Sequence, residues 1–188
     1  MNTDELRVLL RQLYTEQDEC LRQEFARSLP FQDGMFDRWE RATRLGFETG
    51  ASIYNSALIF GDVVVGEQTW IGPYVVLDGS GGTLRIGAYC SISSGVHIYT
   101  HDTVRWALSR GQEDKRTAPV QIGDCVYIGP QSVIVAGVQI GDHCVVGANS
   151  FVNEDVEPRT VVAGSPARRI GSVVGDGKDV RIDIDAKS

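Results

Sequence analysis

PVQIGDCVYIGPQSVIVAGVQIGDHCVVGANSFV, residues 119–152, carries an aliphatic side chain at every sixth position: Ile122, Ile128, Ile134, Ile140, Val146 and Val152. Four places after the first five of these comes a small residue, Val126, Ser132, Val138, Cys144 or Ser150. Helices and strands repeat at 3.6 and 2.0 residues, so neither produces a beat of six. Six residues suit a short flat strand and a corner. Three such units close one triangular turn of a parallel β-helix whose turns stack at about 4.8 Å. In that arrangement the aliphatic residue fills the interior and the small residue lets the corner close. Gly123, Gly129, Gly141 and Gly147 each follow the aliphatic residue directly, where the backbone turns tightly or lies against its neighbour.

Upstream, the same beat begins at Ile53 and runs through Ile59, Val65, Ile71 and Leu77, with Ala57, Val63, Thr69 and Val75 in the small slot. Nine steps instead of six then separate Leu77 from Ile86. The insert between them, DGSGGT, reads as a bulged corner, because it lacks the following helix and the lysine of a phosphate cradle. The beat resumes at Ile86, Ile92 and Ile98, then fails through YTHDTVRWALSRGQEDKRTA before returning at Ile122. This predicts an excursion out of the wall over about 100–118, and a long ordered loop on a rigid solenoid is a usual seat of function.

The N-terminal fifty residues have a different period. Leu6, Leu9, Leu10, Leu13, Leu21 and Phe25 stand at helical spacing, which predicts one amphipathic helix from Thr3 to Leu29, stopped by Pro30. A second helical pattern runs through Met35, Phe36, Trp39, Ala42 and Leu45 and ends at Gly46. Residues 1–50 are therefore expected to cap the open first turn or to pack on a neighbouring subunit, a role that competes with shaping a binding pocket. Residues 51–170 form the β-helix. In the tail, 171–188, Val180, Ile182 and Ile184 alternate with polar residues, a pattern that fits either an added edge strand or a mobile end.

The chain has 188 residues and a net charge of −7, which argues against a nucleic-acid or anionic-membrane partner, since both call for a clustered cationic face. No apolar run approaches the roughly 18 residues of a spanning helix, and the N-terminus lacks the basic-then-apolar order of a signal peptide. A cytoplasmic protein without membrane insertion is expected. Cys20, Cys90, Cys125 and Cys144 lack metal-ligand spacing, and Cys90 and Cys144 fall in the small slot, so they read as small hydrophobes and no metal is expected.

The run IGDCVYIGPQSVIVAGVQIGDHCVVGANSFV, with TVVAGSPAR after it, resembles the hexapeptide-repeat acyltransferases, and especially their sugar and antibiotic O-acetyltransferase branch. The resemblance extends over about 53–170. It implies a mainly β fold, a left-handed parallel β-helix, with acetyl-CoA as acyl donor lying between neighbouring β-helices. It also implies a homotrimer in which an excursion loop carries the catalytic base toward the adjacent subunit.

Acyl transfer from a thioester to an alcohol requires the alcohol to lose its proton as it attacks. A general base contributes about 10²- to 10⁴-fold, and histidine, with an ordinary pKa of about 6.5, is the natural choice. His97 and His143 stand at ordinary wall positions and are expected to face outward. His101 stands at the root of the excursion, in IYTHD, where the resembled enzymes have their catalytic histidine; it is the expected base. Asp102 and Glu113 are candidate orienting acids, alongside a backbone carbonyl, and either acid reads equally as a solvated loop residue. No cysteine is placed for an acyl-enzyme, so direct transfer is expected.

The remaining site residues follow from the resemblance. Ala148, in VGANS, matches an alanine whose backbone contacts the pantetheine arm, with Gly147 and Asn149 beside it. Tyr127 stands where many members have tryptophan, and either flanks the arm or covers the outer wall. Arg168 and Arg169, in VVAGSPARRI, match positions suited to the phosphates of CoA. The chain departs from the family at Asn153, Glu154 and Asp155, where relatives carry Thr-Lys-Asp, so that an acid replaces a phosphate-contacting lysine. The implied acceptor is a small-molecule or glycan hydroxyl, with an amino sugar, an antibiotic or serine as alternatives. Two rivals differ in class. A γ-class carbonic anhydrase shares the β-helix, but its lone histidine precedes a close pair, the reverse of His97, His101 and His143. A noncatalytic scaffold is the other.

Overall fold

The computed structural model describes residues 1–185; the last three residues of the expected tail lie outside the described residues. The sixfold beat folds into three faces of parallel strands. On the first face, Ser52–Ile53, Trp70–Ile71, Ser91–Ile92, Tyr127–Ile128, Val145–Val146 and Thr160–Ala163 stack in that order. Their register aligns Ile53, Ile71, Ile92, Ile128, Val146 and Val162 in one interior column. The second face aligns Ile59, Leu77, Ile98, Ile134 and Val152, and the third Val65, Ile86, Ile122, Ile140 and Val156. These columns form a continuous core in which all but Ile59 are buried. The molecule is a left-handed parallel β-helix, mainly β, with helices at its N-terminal end. Among the described residues no helix is long and apolar enough to cross a membrane.

The corners turn at the third residue before the aliphatic one. Gln68, Tyr74, Tyr89, Cys125, Gln131, His143 and Asn149 all occupy the left-handed region there, at φ between 54° and 61°. The glycines that follow the aliphatic residue serve the other purpose. A Cβ on Gly129 would stand 2.6 Å from the amide nitrogen of Ala148, so close stacking of successive coils, not a positive φ, requires glycine there.

Helix α1 spans Thr3–Phe25 and ends short of Pro30, because Ala26 turns into the left-handed region and its N–H closes back onto Arg22 and Leu21. The second helical pattern divides into α2, Phe31–Met35, and α3, Arg38–Arg44. Extended backbone at Phe36 separates them, and Asp37 caps α3 by accepting from the amides of Trp39 and Glu40. Contact with the first coil is made by residues from α2 onward. Ala42 and Phe47 are buried. The Arg41 guanidinium donates to the carbonyls of Tyr54 and, at 2.9 Å, Ala57; Asp33 accepts from the amide of Ser56 at 2.8 Å. The end of the solenoid is thus closed largely by polar groups that satisfy its unpaired backbone. By contrast α1 buries no residue of its own. It leans on α2, with the rings of Tyr14 and Phe31 5.8 Å apart.

The excursion is ordered. His101–Asp102 pairs antiparallel with Arg116–Thr117, and helix α4, Val104–Leu108, forms its tip. The chain leaves after Ile98 on the second face and rejoins at Val120–Ile122 on the third, where Ile122 pairs with both Ile86 and Ile140. The DGSGGT insert lies between the same two faces one coil earlier, so both insertions emerge from one corner. At the far end, Arg168–Val174 and Arg181–Ile184 extend the first face as antiparallel strands, so the described part of the tail adds to the sheet edge.

Candidate active site

Stacking of the two insertions fixes the surroundings of His101. The hydroxyl of Thr100, a fully buried residue, accepts from the amide of Gly81 at 2.9 Å and donates to the carbonyl of Asp78 at 2.7 Å. The Thr100 amide donates to that same carbonyl at 3.0 Å. A Cβ on Gly81 would lie 2.7 Å from the Cβ of His101, so only glycine lets the insert approach this closely. The backbone of residues 78–81 is therefore locked beneath the histidine.

The imidazole of His101 is 23% exposed. Its Nδ1 faces two groups of the insert, Ser80 Oγ at 3.3 Å and Asp78 Oδ2 at 3.6 Å. Asp78 is nearly buried, and its Oδ1 accepts from the amide of Ser80 at 2.9 Å and from the Ser80 hydroxyl at 2.5 Å. Among the described residues, Asp78 is the acid whose carboxylate lies within 4 Å of a ring nitrogen of His101. The two acids expected from the sequence are placed otherwise in this chain. Asp102 accepts from the amide of Val104 at 3.1 Å, and Glu113, exposed, is held by its amide to Ser109 Oγ at 2.8 Å.

His97 stands on the outer side of the second face with Nδ1 3.1 Å from the Tyr99 hydroxyl. His143 is a left-handed corner residue between the third and first faces. Among the described residues no group of three His, Cys, Asp or Glu side chains is arranged to hold a metal.

The residues assigned to CoA by resemblance gather on other parts of the prism. Gly147, Ala148 and Asn149 form the corner between the first and second faces, and the latter two are exposed. Tyr127 projects from the first face, 42% exposed, between Ser91 and Val145 on adjacent coils. Arg168 and Arg169 are exposed on the strand after the last coil. Arg168 meets Glu154 at 3.5 Å and Arg169 meets Asp185 at 3.3 Å. Glu154 is thus the partner of Arg168, while Asp155 accepts from the amide of Gln139 at 2.8 Å. A single chain does not bring His101 and Ala148 together, since they occupy different vertices of the triangle.

Asp78 and Ser80 escape a reading of motifs, because DGSGGT looks like a plain corner. Counting the sixes in threes reveals them: Leu77 and Ile98 then fall on the same face of successive coils, and the residues after each must stack.

A family model described as bacterial transferase hexapeptide (six repeats) matches residues 119–154. The carnitine operon protein CaiE of Escherichia coli O157:H7 is 35% identical over 131 residues, covering 67% of this chain and 67% of that protein. A chloramphenicol acetyltransferase of Morganella morganii is 35% identical over 108 residues, 46% of this chain and 50% of that one. Among solved structures, a hexapeptide-repeat acetyltransferase from Vibrio cholerae O1 biovar eltor, complexed with acetyl coenzyme A, is 30% identical with a TM-score of 0.61, covering 86% of this chain and 87% of that chain. A maltose O-acetyltransferase from Clostridium difficile 630 is 26% identical with a TM-score of 0.58, covering 88% and 85% respectively. With the repeat, the coiled fold and these relatives in agreement, the chain belongs to the bacterial hexapeptide-repeat transferase family and is an acyltransferase.

Proposed function

We propose that this protein transfers the acetyl group of acetyl-CoA to a hydroxyl of a sugar or glycan precursor, by direct attack, with His101 as general base. The observation that carries the reading is the placement of His101. It is a partly exposed imidazole at the root of an ordered arm, held from below by a nearly buried carboxylate and a hydroxyl. The acceptor O–H gives its proton to the imidazole as its oxygen attacks the thioester carbonyl, and the CoA thiolate leaves, to be protonated in turn. The donor fits the acetyl-CoA complex of the Vibrio relative, and the acceptor class fits the maltose O-acetyltransferase relative.

The separation of His101 from Ala148 supports a cleft built from two chains in a homotrimer. The arm of one chain reaches the first face of the next, where Tyr127, Gly147, Ala148 and Asn149 line the pantetheine arm. Arg168 and Arg169 meet the phosphates, each exchanging its exposed acid partner for the ligand. Such exposed pairs contribute only about 0–1 kcal/mol, so the exchange is cheap.

The test is release of free CoA thiol from acetyl-CoA across a panel of acceptors that includes maltose, simple glycosides, amino sugars and chloramphenicol. Acceptor-dependent release with hydroxylated sugars, abolished by His101→Gln, is expected. Turnover confined to chloramphenicol would favour the antibiotic reading, which the Morganella relative keeps in view. Acceptor-dependent release that survives His101→Gln would sink the base assignment. Stoichiometric zinc, iron or cobalt in the purified protein would instead favour the metalloenzyme.

A further inference from the structure

We propose that Asp78 and Ser80 are positioning residues that hold neutral His101 with its proton on Nδ1, leaving Nε2 to take the proton of the acceptor; this rests on His101 being the base. The Ser80 hydroxyl has one proton, and the 2.5 Å contact commits it to Asp78 Oδ1. The Ser80 oxygen then has only lone pairs to offer His101 Nδ1 at 3.3 Å. Asp78 Oδ2, 3.6 Å from the same nitrogen, is too far for a good hydrogen bond but close enough for charge attraction. Both neighbours of Nδ1 are acceptors, so that nitrogen carries the hydrogen. The free neutral ring in water prefers the opposite tautomer, with its hydrogen on Nε2, which is useless for a base working through that atom.

Once Nε2 gains the acceptor's proton, the imidazolium stands beside the Asp78 carboxylate, which stabilises it. Three other charged side chains around this corner are engaged elsewhere. Arg116 donates to the carbonyl of Ala136 at 3.3 Å, Asp102 accepts from Val104, and Asp62 accepts from the Thr83 hydroxyl at 2.6 Å. Geometry also separates this role from a purely structural one. The insert is fixed to the arm through the Asp78 carbonyl, the Thr100 hydroxyl and the Gly81 amide, none of which belongs to the side chains of Asp78 or Ser80.

The experiment is long-range proton–nitrogen NMR on the full chain labelled with ¹⁵N-histidine, well above the titration midpoint of the ring, with His101→Gln identifying the signals among the three histidines. The wild type is expected to show His101 protonated at Nδ1 and bare at Nε2. Ser80→Ala and Asp78→Asn should each shift the population toward the Nε2-protonated ring. With the best acceptor of the panel they should lower kcat about 10- to 10²-fold, less than a directly bonded carboxylate, with KM for acetyl-CoA unchanged. A wild-type ring protonated at Nε2, or a tautomer unmoved in both variants, overturns the proposal. If Asp78→Asn fails to fold, the wild-type spectrum and Ser80→Ala still decide. Full activity in His101→Gln would instead strike the base assignment, whatever the tautomer.

Discussion

Asp78 Oδ2 and His101 Nδ1 stand 3.6 Å apart although they belong to different coils, one on a glycine-rich corner and the other on the arm directly above it. The proximity follows from the stacking of parallel strands, in which Asp78 pairs with Tyr99 just before the arm begins. Replacing His101 with glutamine keeps a polar side chain of similar volume on an unaltered wall. Acetyl transfer is therefore expected to fall about 10²- to 10⁴-fold, with the thermal melt unchanged. Rates in parallel with melting curves check this, and loss of fold in step with activity would void the catalytic interpretation.

A second expectation concerns how the cleft is assembled. If His101 of one chain serves Ala148 of the next, two inactive variants should complement each other. Co-expression of His101→Gln with Ala148→Trp should restore about a quarter of wild-type activity, the share of clefts left intact when chains mix randomly around a closed ring. Light scattering at the mass of three chains should accompany it. No recovery from mixed oligomers would place both residues in one chain's cleft.

Arg41 closes the open end of the solenoid with two bonds from a charged group to backbone carbonyls, and burial lowers its pKa, with Asp33 opposing that shift. Arg41→Met keeps the stem and removes the donors. Stability should drop by about 2–4 kcal/mol, given roughly 1.5–3 kcal/mol for a charged hydrogen bond and the cost of stranding its acceptor. Urea unfolding measures this, and a change below about 0.5 kcal/mol, the range of ordinary surface substitutions, would mean that water satisfies these carbonyls as well.

Cys90 occupies the small interior slot, and burial pushes its thiol from 9.0 up to about 11. The unfolded chain then releases this proton at a lower pH than the native one. The contribution to stability is whole below pH 9 and is lost as pH rises toward 11. Cys90→Val, which places in the slot a residue used there by other coils, should flatten the alkaline fall in stability across that window. In the native protein the exposed Cys20 and Cys125 should take up an alkylating reagent, while the buried Cys90 and Cys144 resist.

The wall was legible because a six-residue beat has few physical solutions, and the columns of Ile, Leu and Val fell where the beat places them. The position of His101 at the root of the arm was equally readable. Two things were not. The break of the second helix at Phe36 depends on Asp37 capping α3, a local hydrogen bond that hydrophobic spacing does not register. The proximity of Asp78 to His101 was hidden because contacts across coils join residues distant in sequence, whereas Asp102 and Glu113 are near His101 along the chain. What α1 packs against lies beyond such a reading as well: helical periodicity reveals an apolar stripe but not what covers it, and in the single chain Leu6, Leu9, Leu10 and Leu13 remain exposed.

Both insertions leave the triangle at one vertex and return to a wall whose register they do not disturb. The hydrogen-bonded ladder thus behaves as a ruler indifferent to what hangs from its edge. The appendage can lengthen, shorten or change composition while every interior layer keeps its place, so whatever chemistry is presented at that vertex is free to diverge independently of the scaffold that carries it.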